Sequence, residues 1–280
     1  MSEPPDFHQL LVEAAERLEP LPSAAIELAA IVSRPDSGPE EITKVLGTDP
    51  AMAAHVLREA NSALSGSSRP IGSLDQAVVR IGAARVLEVA VRSHLGDRLE
   101  TSLEVYDLDG AERRRLAVGA SNAAEILSAA SPHAVSRDVV CATLLHGIGM
   151  DVIDAVADPE KAGSLRRCGM ATRQMEHELV AADHAEVGAL VLRRWGLPPT
   201  LVAAVEHQHD PEAGIEAAIV CLATDLVADL LDGDAEDDEA RTLESSAQTA
   251  ITVLAVADRL DNAREAIRVS LADDGLLETG

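Results

Sequence analysis

Aromatic residues are nearly absent from this sequence. The 280 residues include one Trp, one Tyr and one Phe, which together make 1% of the chain. The core must therefore be filled by Leu, Ile, Val and Ala, which suit packed helices better than aromatic-rich strands. The composition predicts an all-α protein. The chain is long enough to bury a core either as one large domain or as two smaller ones.

Cysteine is also scarce. The chain has three cysteines, an odd number: Cys141, Cys168 and Cys221. They lie far apart in the sequence and lack the spacing of metal ligands. This pattern argues against a disulfide framework and against a zinc–cysteine site. Reduced thiols in a cytosolic protein are the simplest interpretation.

Positive charge is in short supply. The chain has 23 Lys and Arg against 48 Asp and Glu, which gives a formal charge of -25. Such a charge repels phosphate backbones and anionic membrane surfaces, and the only local basic run is Arg113-Arg114-Arg115. No charge-free apolar run of about 18 residues occurs, and residues 1–6 lack the apolar segment of a signal peptide. We expect a cytoplasmic protein with neither nucleic acid nor a membrane as its partner.

The first hundred residues contain repeated signals for the start of a helix, in the form of a capping side chain or a first-turn proline. These signals are Ser37 with Glu40, Asp49 with Pro50, and Ser73 with Gln76. They recur every ten to fifteen residues, which predicts an N-terminal lobe of about five short helices over residues 1–100.

A polar stretch from Glu100 to Gly110 lacks helical periodicity and is predicted to link this lobe to a second one, residues 111–231. Within the second lobe, Asp183 with Glu186 has capping-box spacing and predicts a helix that carries His184. The segment from Asp154 to Ala171 is polar and is predicted to be irregular.

Five short motifs in the N-terminal region follow one another in a specific order. They are Leu18-Glu19-Pro20-Leu21-Pro22, Asp49-Pro50-Ala51-Met52, Asn61-Ser62, Ile71-Gly72-Ser73-Leu74 with Gln76-Ala77, and Ile81-Gly82. Any one of them fits a generic helical repeat, but the series resembles the HDOD family, bacterial signalling modules related to HD-type phosphohydrolases. The resemblance extends from Leu18 to Asp229. It implies an HD-like helical bundle in the second lobe.

His146 is the histidine that is placed most like a ligand. Val139, Ala142, Thr143 and His146 share one face of a helical pattern, so His146 is predicted to point inward. The resemblance adds His184 and His209 to the same site. Catalytic relatives use this site to hold one or two metal ions, which activate a water against a phosphoester.

The sequence departs from the catalytic pattern at four positions. Gly147 stands where a bridging aspartate is expected, and Gln208 occupies the first position of a usual histidine pair. Arg114 lies roughly where an early helix would offer a histidine. Asp225 comes one position late, so that it is expected to face away by about 100° on an ideal helix.

Three neutral histidines could still bind zinc, but no carboxylate balances the charge of the cation. We therefore predict no catalytic residue, no metal and no cofactor. The residues His146, Gly147, His184, His209 and Asp225 are interpreted as a vestigial pocket for a ligand or partner. Gly147→Asp, which restores the His-Asp pair, is predicted to give no activity and, if Gly147 lies at a tight helix end, to destabilise the fold by about 1 kcal/mol or more.

The predicted function is that of a non-catalytic signalling module that binds an unidentified signalling protein or a small ligand. One alternative is a metal-dependent phosphohydrolase with an atypical site at His146, His184 and His209. A third hypothesis is a structural assembly protein built through the C-terminal helix.

Two further segments follow the family resemblance. Six acidic residues within residues 232–239 predict a solvated linker over 232–243, with a binding tail as the alternative. Residues 244–280 are predicted to hold one amphipathic helix, from about Glu244 to Leu271, and a tail. Its apolar stripe is expected to be buried on its own lobe or against a second copy in a homodimer. The stripe consists of Val253, Val256, Leu260, Ala263 and Ile267.

Overall fold

The structure is a computed structural model and describes residues 7–62, 71–231 and 245–277. Helices dominate these residues, and no strand occurs among them apart from an isolated bridge between Leu103 and Leu108. The prediction of an all-α fold is confirmed.

Five helices form the N-terminal part of the described chain. They are α1 (Phe7–Arg17), α2 (Ser23–Val32), α3 (Pro39–Leu46), α4 (Pro50–Ala60) and α5 (Leu74–Leu99). The first four are short, as predicted, but α5 has 26 residues. A kink at Gly82, where φ is 78°, allows α5 to change direction, because glycine adopts a positive φ without the steric cost of a Cβ atom.

Two of the three predicted N-terminal caps are present. The Asp49 side chain accepts hydrogen bonds from the N–H groups of Ala51 and Met52, and Ser73 accepts one from Gln76. The cap predicted at Ser37 is wrong, since α3 begins at Pro39 after Gly38. Proline is favoured at the first helical position because its missing N–H would be unsatisfied there in any case.

Eight helices follow between residues 110 and 231. They are α6 (Gly110–Ala130), α7 (Val139–Leu144), α8 (Ile148–Asp154), α9 (Pro159–Arg167), α10 (Thr172–Val180), α11 (His184–Arg194), α12 (Pro199–Glu206) and α13 (Ile215–Leu231). Helix α13 packs along α6, and α11 packs against α8 and α12. The packed faces are rich in Leu, Ile, Val and Ala, which fits the shortage of aromatic residues.

The segment from Asp154 to Ala171 was predicted to be irregular, and that prediction is wrong. It contains α9, whose N-terminus is capped by the Asp158 side chain, a hydrogen-bond acceptor for the N–H groups of Glu160 and Lys161. Only Ala162 of α9 is buried. A helix with so narrow an apolar face leaves almost no hydrophobic periodicity in the sequence.

The stretch from Glu100 to Gly110 is more ordered than a polar link. It contains a 3-10 turn, Glu104–Tyr106, and buries the side chains of Leu103 and Val105. A carboxylate oxygen of Asp154 accepts a hydrogen bond of 2.7 Å from the Val105 N–H. The division of the chain into lobes 1–100 and 111–231 stays a prediction.

The C-terminal segment forms two helices instead of the single one predicted. Helix α14 (Ser245–Leu254) is separated from α15 (Leu260–Asp273) by a break at Ala255, where φ is 52°. Val256, Ala263 and Ile267 of the predicted stripe are buried, whereas Val253 and Leu260 are half-buried. The covering surface belongs to the same chain, because α15 packs against α6. The predicted acidic linker, residues 232–243, lies outside the described residues.

No single helix in the described part of the chain is both long and apolar enough to cross a membrane. The segments Val139–Asp154 and Pro159–Arg167 meet such a test only when they are taken together, across a bend of 115°.

Candidate functional site

His146 lies in the turn between α7 and α8, and not on the helix that the sequence pattern predicted. Helix α7 ends at Leu144, two residues earlier. The Nδ1–H group of His146 donates a hydrogen bond of 2.7 Å to the Thr143 carbonyl. Burial lowers the pKa of His146 to about 4, so that the ring is neutral at pH 7. The sequence pattern correctly predicted that His146 points inward, but it assigned the residue to a helix, α7, that ends before it.

His184 is held by a buried carboxylate. It is the first residue of α11, where Asp183 and Glu186 form the predicted capping box. Glu176 of α10 accepts hydrogen bonds from the His184 backbone N–H (3.1 Å) and from its Nδ1–H (2.9 Å). The Tyr106 hydroxyl donates a third bond of 2.8 Å to the same carboxylate. Burial and this carboxylate both raise the pKa of Tyr106, which therefore stays a donor.

His209 completes a pair with His184. The Nε2 atoms of the two rings are 3.0 Å apart, and the rings meet edge to face with centroids 4.8 Å apart. When His184 is neutral, the proton on Nδ1 is donated to Glu176, so its Nε2 is the acceptor and Nε2–H of His209 donates. Burial, and after it the neighbouring His184, lower the pKa of His209 to about 3.

The three histidines border one cavity of about 270 Å³, which we call the histidine cavity. Most of its other lining residues are apolar. The five residues of the predicted vestigial pocket all line it, namely His146, Gly147, His184, His209 and Asp225. The expectation that Asp225 faces away is wrong, because Thr224 and Asp225 of α13 both border the cavity. The cavity is wide enough for the side chains at two consecutive positions of α13 to line it.

Arg113, and not Arg114, is the arginine of α6 at this cavity. Arg113 is buried, donates hydrogen bonds to the carbonyls of Arg98 (2.8 Å) and Thr101 (3.3 Å), and forms an ion pair with Asp151. Burial raises the pKa of Asp151, and the Arg113 charge opposes this rise. The Arg114 side chain does not line the cavity and is half exposed. The Arg113 guanidinium is therefore already neutralised. A second arginine, Arg98 of α5, also lines the cavity.

Gly147 has room for a side chain. It is the N-cap of α8 with φ of -90°, and an added Cβ would lie 3.5 Å from Met150 Sδ, an ordinary contact. The expectation of a tight helix end at Gly147 is therefore wrong. The crowded glycine is Gly149, where a Cβ would lie 2.0 Å from the His184 carbonyl oxygen and 2.6 Å from the Gly188 nitrogen. Gly149 lets α8 approach α11 closely.

Gln208 is buried and takes a structural role beside the cavity. Its Nε2 donates a hydrogen bond of 3.1 Å to the His146 carbonyl. The side chain that replaces the first member of a histidine pair therefore fixes the backbone of another site residue.

The residues present do not fit the metal centre of the catalytic relatives. Among the described residues, no group of three or more His, Cys, Asp or Glu is arranged to hold a metal ion. The Nε2 lone pair of His184 is used by His209, so the two rings do not direct lone pairs at a common point. Gly147 supplies no carboxylate. No chemical step through a metal is derived for this site.

Sequence reasoning missed Glu176, Tyr106 and Asp151. Glu176 shares the buried face of α10 with Leu179 and Val180. An acid at i beside apolar residues at i+3 and i+4 indicates a carboxylate with a buried partner, and this signal was available. The partner itself comes from the next helix, and no local pattern identifies it.

Comparison with known proteins gives one family match and one relative in sequence. Residues 18–211 match the family model of the HDOD domain. An "Uncharacterized protein" of Treponema pallidum (strain Nichols) is 25% identical over 213 residues, which are 72% of this chain and 40% of that protein. The chain thus spans less than half the length of this relative.

Two solved structures share the fold over nearly the whole chain. A "Putative phosphohydrolase" from Shewanella amazonensis SB2B has a TM-score of 0.67 and 25% identity, and the match covers 95% of this chain and 96% of that chain. A "Putative signal transduction protein" from Marinobacter aquaeolei VT8 has a TM-score of 0.69 and 21% identity, with 96% and 65% covered. The second likeness concerns the fold alone.

Proposed function

The chain belongs to the HDOD family, and we propose that it is a non-catalytic regulatory module, which binds a small, largely apolar ligand in the histidine cavity and passes the signal to another protein. The observation that carries this proposal is the hydrogen bonding of His184. Its Nδ1–H donates to Glu176, and its Nε2 accepts the hydrogen bond from His209. The ring is thereby fixed as part of the cavity wall.

The cavity itself suits a small molecule better than a large one. Its volume of about 270 Å³ lies near the lower end for ligand pockets, and most of its lining residues are apolar. Both His146 and His209 are neutral at pH 7 because of their lowered pKa values. These two rings offer hydrogen bonds to a ligand without adding a charge of their own.

A substitution that fills the cavity tests this proposal. Gly147→Leu would place an isobutyl group in it, and Gly147→Ala is the matched control, because a Cβ alone makes only an ordinary contact there. Small metabolites are screened by thermal shift against the wild-type protein. We expect ligands that stabilise the wild type and Gly147→Ala but not Gly147→Leu. Equal responses of the two variants would contradict binding at this site.

The second candidate function is a metal-dependent phosphohydrolase with an atypical site. One observation favours it: His146 donates from Nδ1 to a backbone carbonyl, as metal-ligating histidines do, which leaves its Nε2 as a potential ligand. An assay with bis(p-nitrophenyl) phosphate and added Mn²⁺ or Fe²⁺ separates the two functions. The regulatory proposal expects no turnover. Turnover that is lost in His184→Ala would establish the phosphohydrolase instead.

A further inference from the structure

Three arginines from three different helices meet at a second concave surface. Arg58 of α4, Arg92 of α5 and Arg114 of α6 line a groove of about 570 Å³, which we call the arginine groove. Of the described residues that line it, only Leu99 also lines the histidine cavity. The groove collects these cations in a chain whose formal charge is -25.

The hydrogen-bonding capacity of the three guanidinium groups is largely unused. Among the described residues, the guanidinium of Arg58 has no ion-pair or hydrogen-bond partner. Arg92 lies 3.3 Å from Glu88 and 3.6 Å from Glu59, and Arg114 lies 3.8 Å from Glu100. These separations exceed the roughly 2.7–2.9 Å of a charge-assisted hydrogen bond. Planar N–H groups are thus available to an anion with several oxygens.

In the part of the chain that the structure describes, three acids also line the groove, and two of them already accept hydrogen bonds. Glu59 accepts hydrogen bonds of 2.8 and 3.1 Å from Arg85, and Asp274 accepts one of 2.6 Å from Asn122. Glu100 is the third, and its side chain is 62% exposed. Its charge acts mainly through solvent, where screening weakens it.

His55 reports the potential inside the groove. Its pKa is lowered by burial and then by the charges of Arg58, His94 and Arg92, which outweigh the raising effect of Asp49. The cations therefore dominate at this point of the lining.

The rest of the groove offers an apolar surface beside the arginines. Val89, Leu99, Val118 and Leu276 contribute to the lining. The volume lies within the range of small-molecule sites. Guanidinium forks match the oxygens of a phosphate group, and the apolar side chains suit a ring or hydrocarbon portion. We propose that the arginine groove binds a small molecule that carries phosphate together with an apolar part, of the nucleotide type.

Calorimetric titration of the full chain tests this, with ADP, inorganic pyrophosphate and adenosine as probes in a metal-free buffer. We expect one saturable site for ADP, weaker binding of pyrophosphate, and no detectable binding of adenosine. Added salt should weaken the binding of both anions. Failure of ADP and pyrophosphate to saturate would overturn the proposal. Equal affinities for ADP and adenosine would also overturn it.

Three substitutions locate the site without disturbing the fold. Arg58→Gln replaces a guanidinium group that has no partner among the described residues, and it should weaken ADP binding about tenfold. Glu100→Gln removes a nearby negative charge and should tighten binding about threefold. Arg194→Gln is the matched control: its side chain is 48% exposed, pairs with Glu16 and lies outside the groove, so the affinity should not change. Equal effects of Arg58→Gln and Arg194→Gln would show that binding follows net charge alone, and would overturn the proposed site.

Discussion

At the scale of single residues, the hydrogen-bond partner decides what each histidine in the cavity can do. His146 donates to a backbone carbonyl, and His184 donates to Glu176. Both rings are therefore fixed in one tautomer. His209 is held against His184, so that no ring is free to turn without breaking a hydrogen bond.

The lowered pKa values of His146 and His209 predict how stability depends on pH. An unfolded histidine titrates near pH 6.5, whereas the folded values are about 4 and about 3. Below pH 6.5 the unfolded chain binds more protons than the folded chain at these two positions. Their stabilising contribution is therefore complete above pH 6.5 and is lost as the pH falls towards 4, by up to about 1.4 kcal/mol per pH unit for each histidine.

Urea unfolding of the wild type and of His146→Asn between pH 7.5 and 4.5 measures this slope. Asn can replace the Nδ1–H donor but does not titrate, so the variant should lose less stability than the wild type over this range. Comparing the two slopes removes the contributions of Asp151 and Glu88, whose pKa values are raised by burial. The exposed His207→Asn is the control. Equal slopes for the wild type and His146→Asn would refute the assignment.

Gly147→Asp isolates the contribution of one carboxylate. A Cβ fits at this position, φ is negative, and Asp is favoured at a helix N-cap, so the free energy of unfolding should stay within about 1 kcal/mol of the wild type. The variant should still hydrolyse no phosphodiester, because Gln208 and the His184–His209 bond are unchanged. Chemical denaturation and a turnover assay with Mn²⁺ or Fe²⁺ measure both properties. Metal-dependent turnover would show that one carboxylate is all that the site lacks.

At the scale of helices, the cavity depends on how closely α8 approaches α11. Gly149 and Gly188 lie at this contact, and the carbonyl of His184 is the atom that an added Cβ at Gly149 would meet first. The spacing of the two helices therefore also positions His184. This arrangement connects the packing of the core to the geometry of the histidine pair.

Gly149→Ala should therefore destabilise the protein strongly. Alanine is intrinsically favoured in a helix, but its methyl group would lie 2.0 Å from backbone, which cannot move aside as a flexible side chain would. We expect a loss of about 3 kcal/mol or more in the free energy of unfolding. Gly147→Ala is the control and should change little. Similar stabilities for the two alanine variants would contradict close packing at Gly149.

Helix starts were predictable where the relevant bond is local. Asp49, Ser73 and Asp183 cap their helices through N–H groups two or three residues ahead, so adjacent residues carry the whole signal. Helix α9 was missed because it buries only Ala162. Its Asp158-Pro159 cap was the one sign available.

The candidate site was less predictable than the helices that carry it. The sequence pattern and the family resemblance together identified the three histidines of the site, His146, His184 and His209. The contacts of Glu176 with His184, and of Arg113 with Asp151, join separate helices. Asp225 lines the cavity together with its neighbour Thr224, although adjacent positions point about 100° apart on an ideal helix. These features follow from tertiary packing, for which a single sequence contains no periodic signal.

At the scale of the whole molecule, the C-terminal helices extend the HDOD region. They follow the family match, which ends at residue 211, and cover α6 and α13. Leu271 fits against Gly119 of α6, where an added Cβ would lie 2.7 Å from its Cδ2 atom. Polar contacts fix the same segment, because Asn122 donates to Asp274 (2.6 Å) and Ser131 donates to the Leu254 carbonyl (3.1 Å). The absence of a side chain at position 119 makes room for this docking.

Truncation after Leu231 should therefore destabilise the remaining chain. It removes the buried side chains Ile251, Leu254, Ile267 and Leu271, each worth roughly 1.5–3 kcal/mol, and leaves their contact surface on α6 and α13 exposed to water. We expect a lower free energy of unfolding by at least about 4 kcal/mol in chemical denaturation, together with self-association in light scattering. The Leu271→Ala variant of the full chain is the milder test and should lose about 2–5 kcal/mol. A truncated chain with unchanged stability and oligomeric state would mean that α14 and α15 are dispensable, and that their apolar faces gain nothing from the surface they cover.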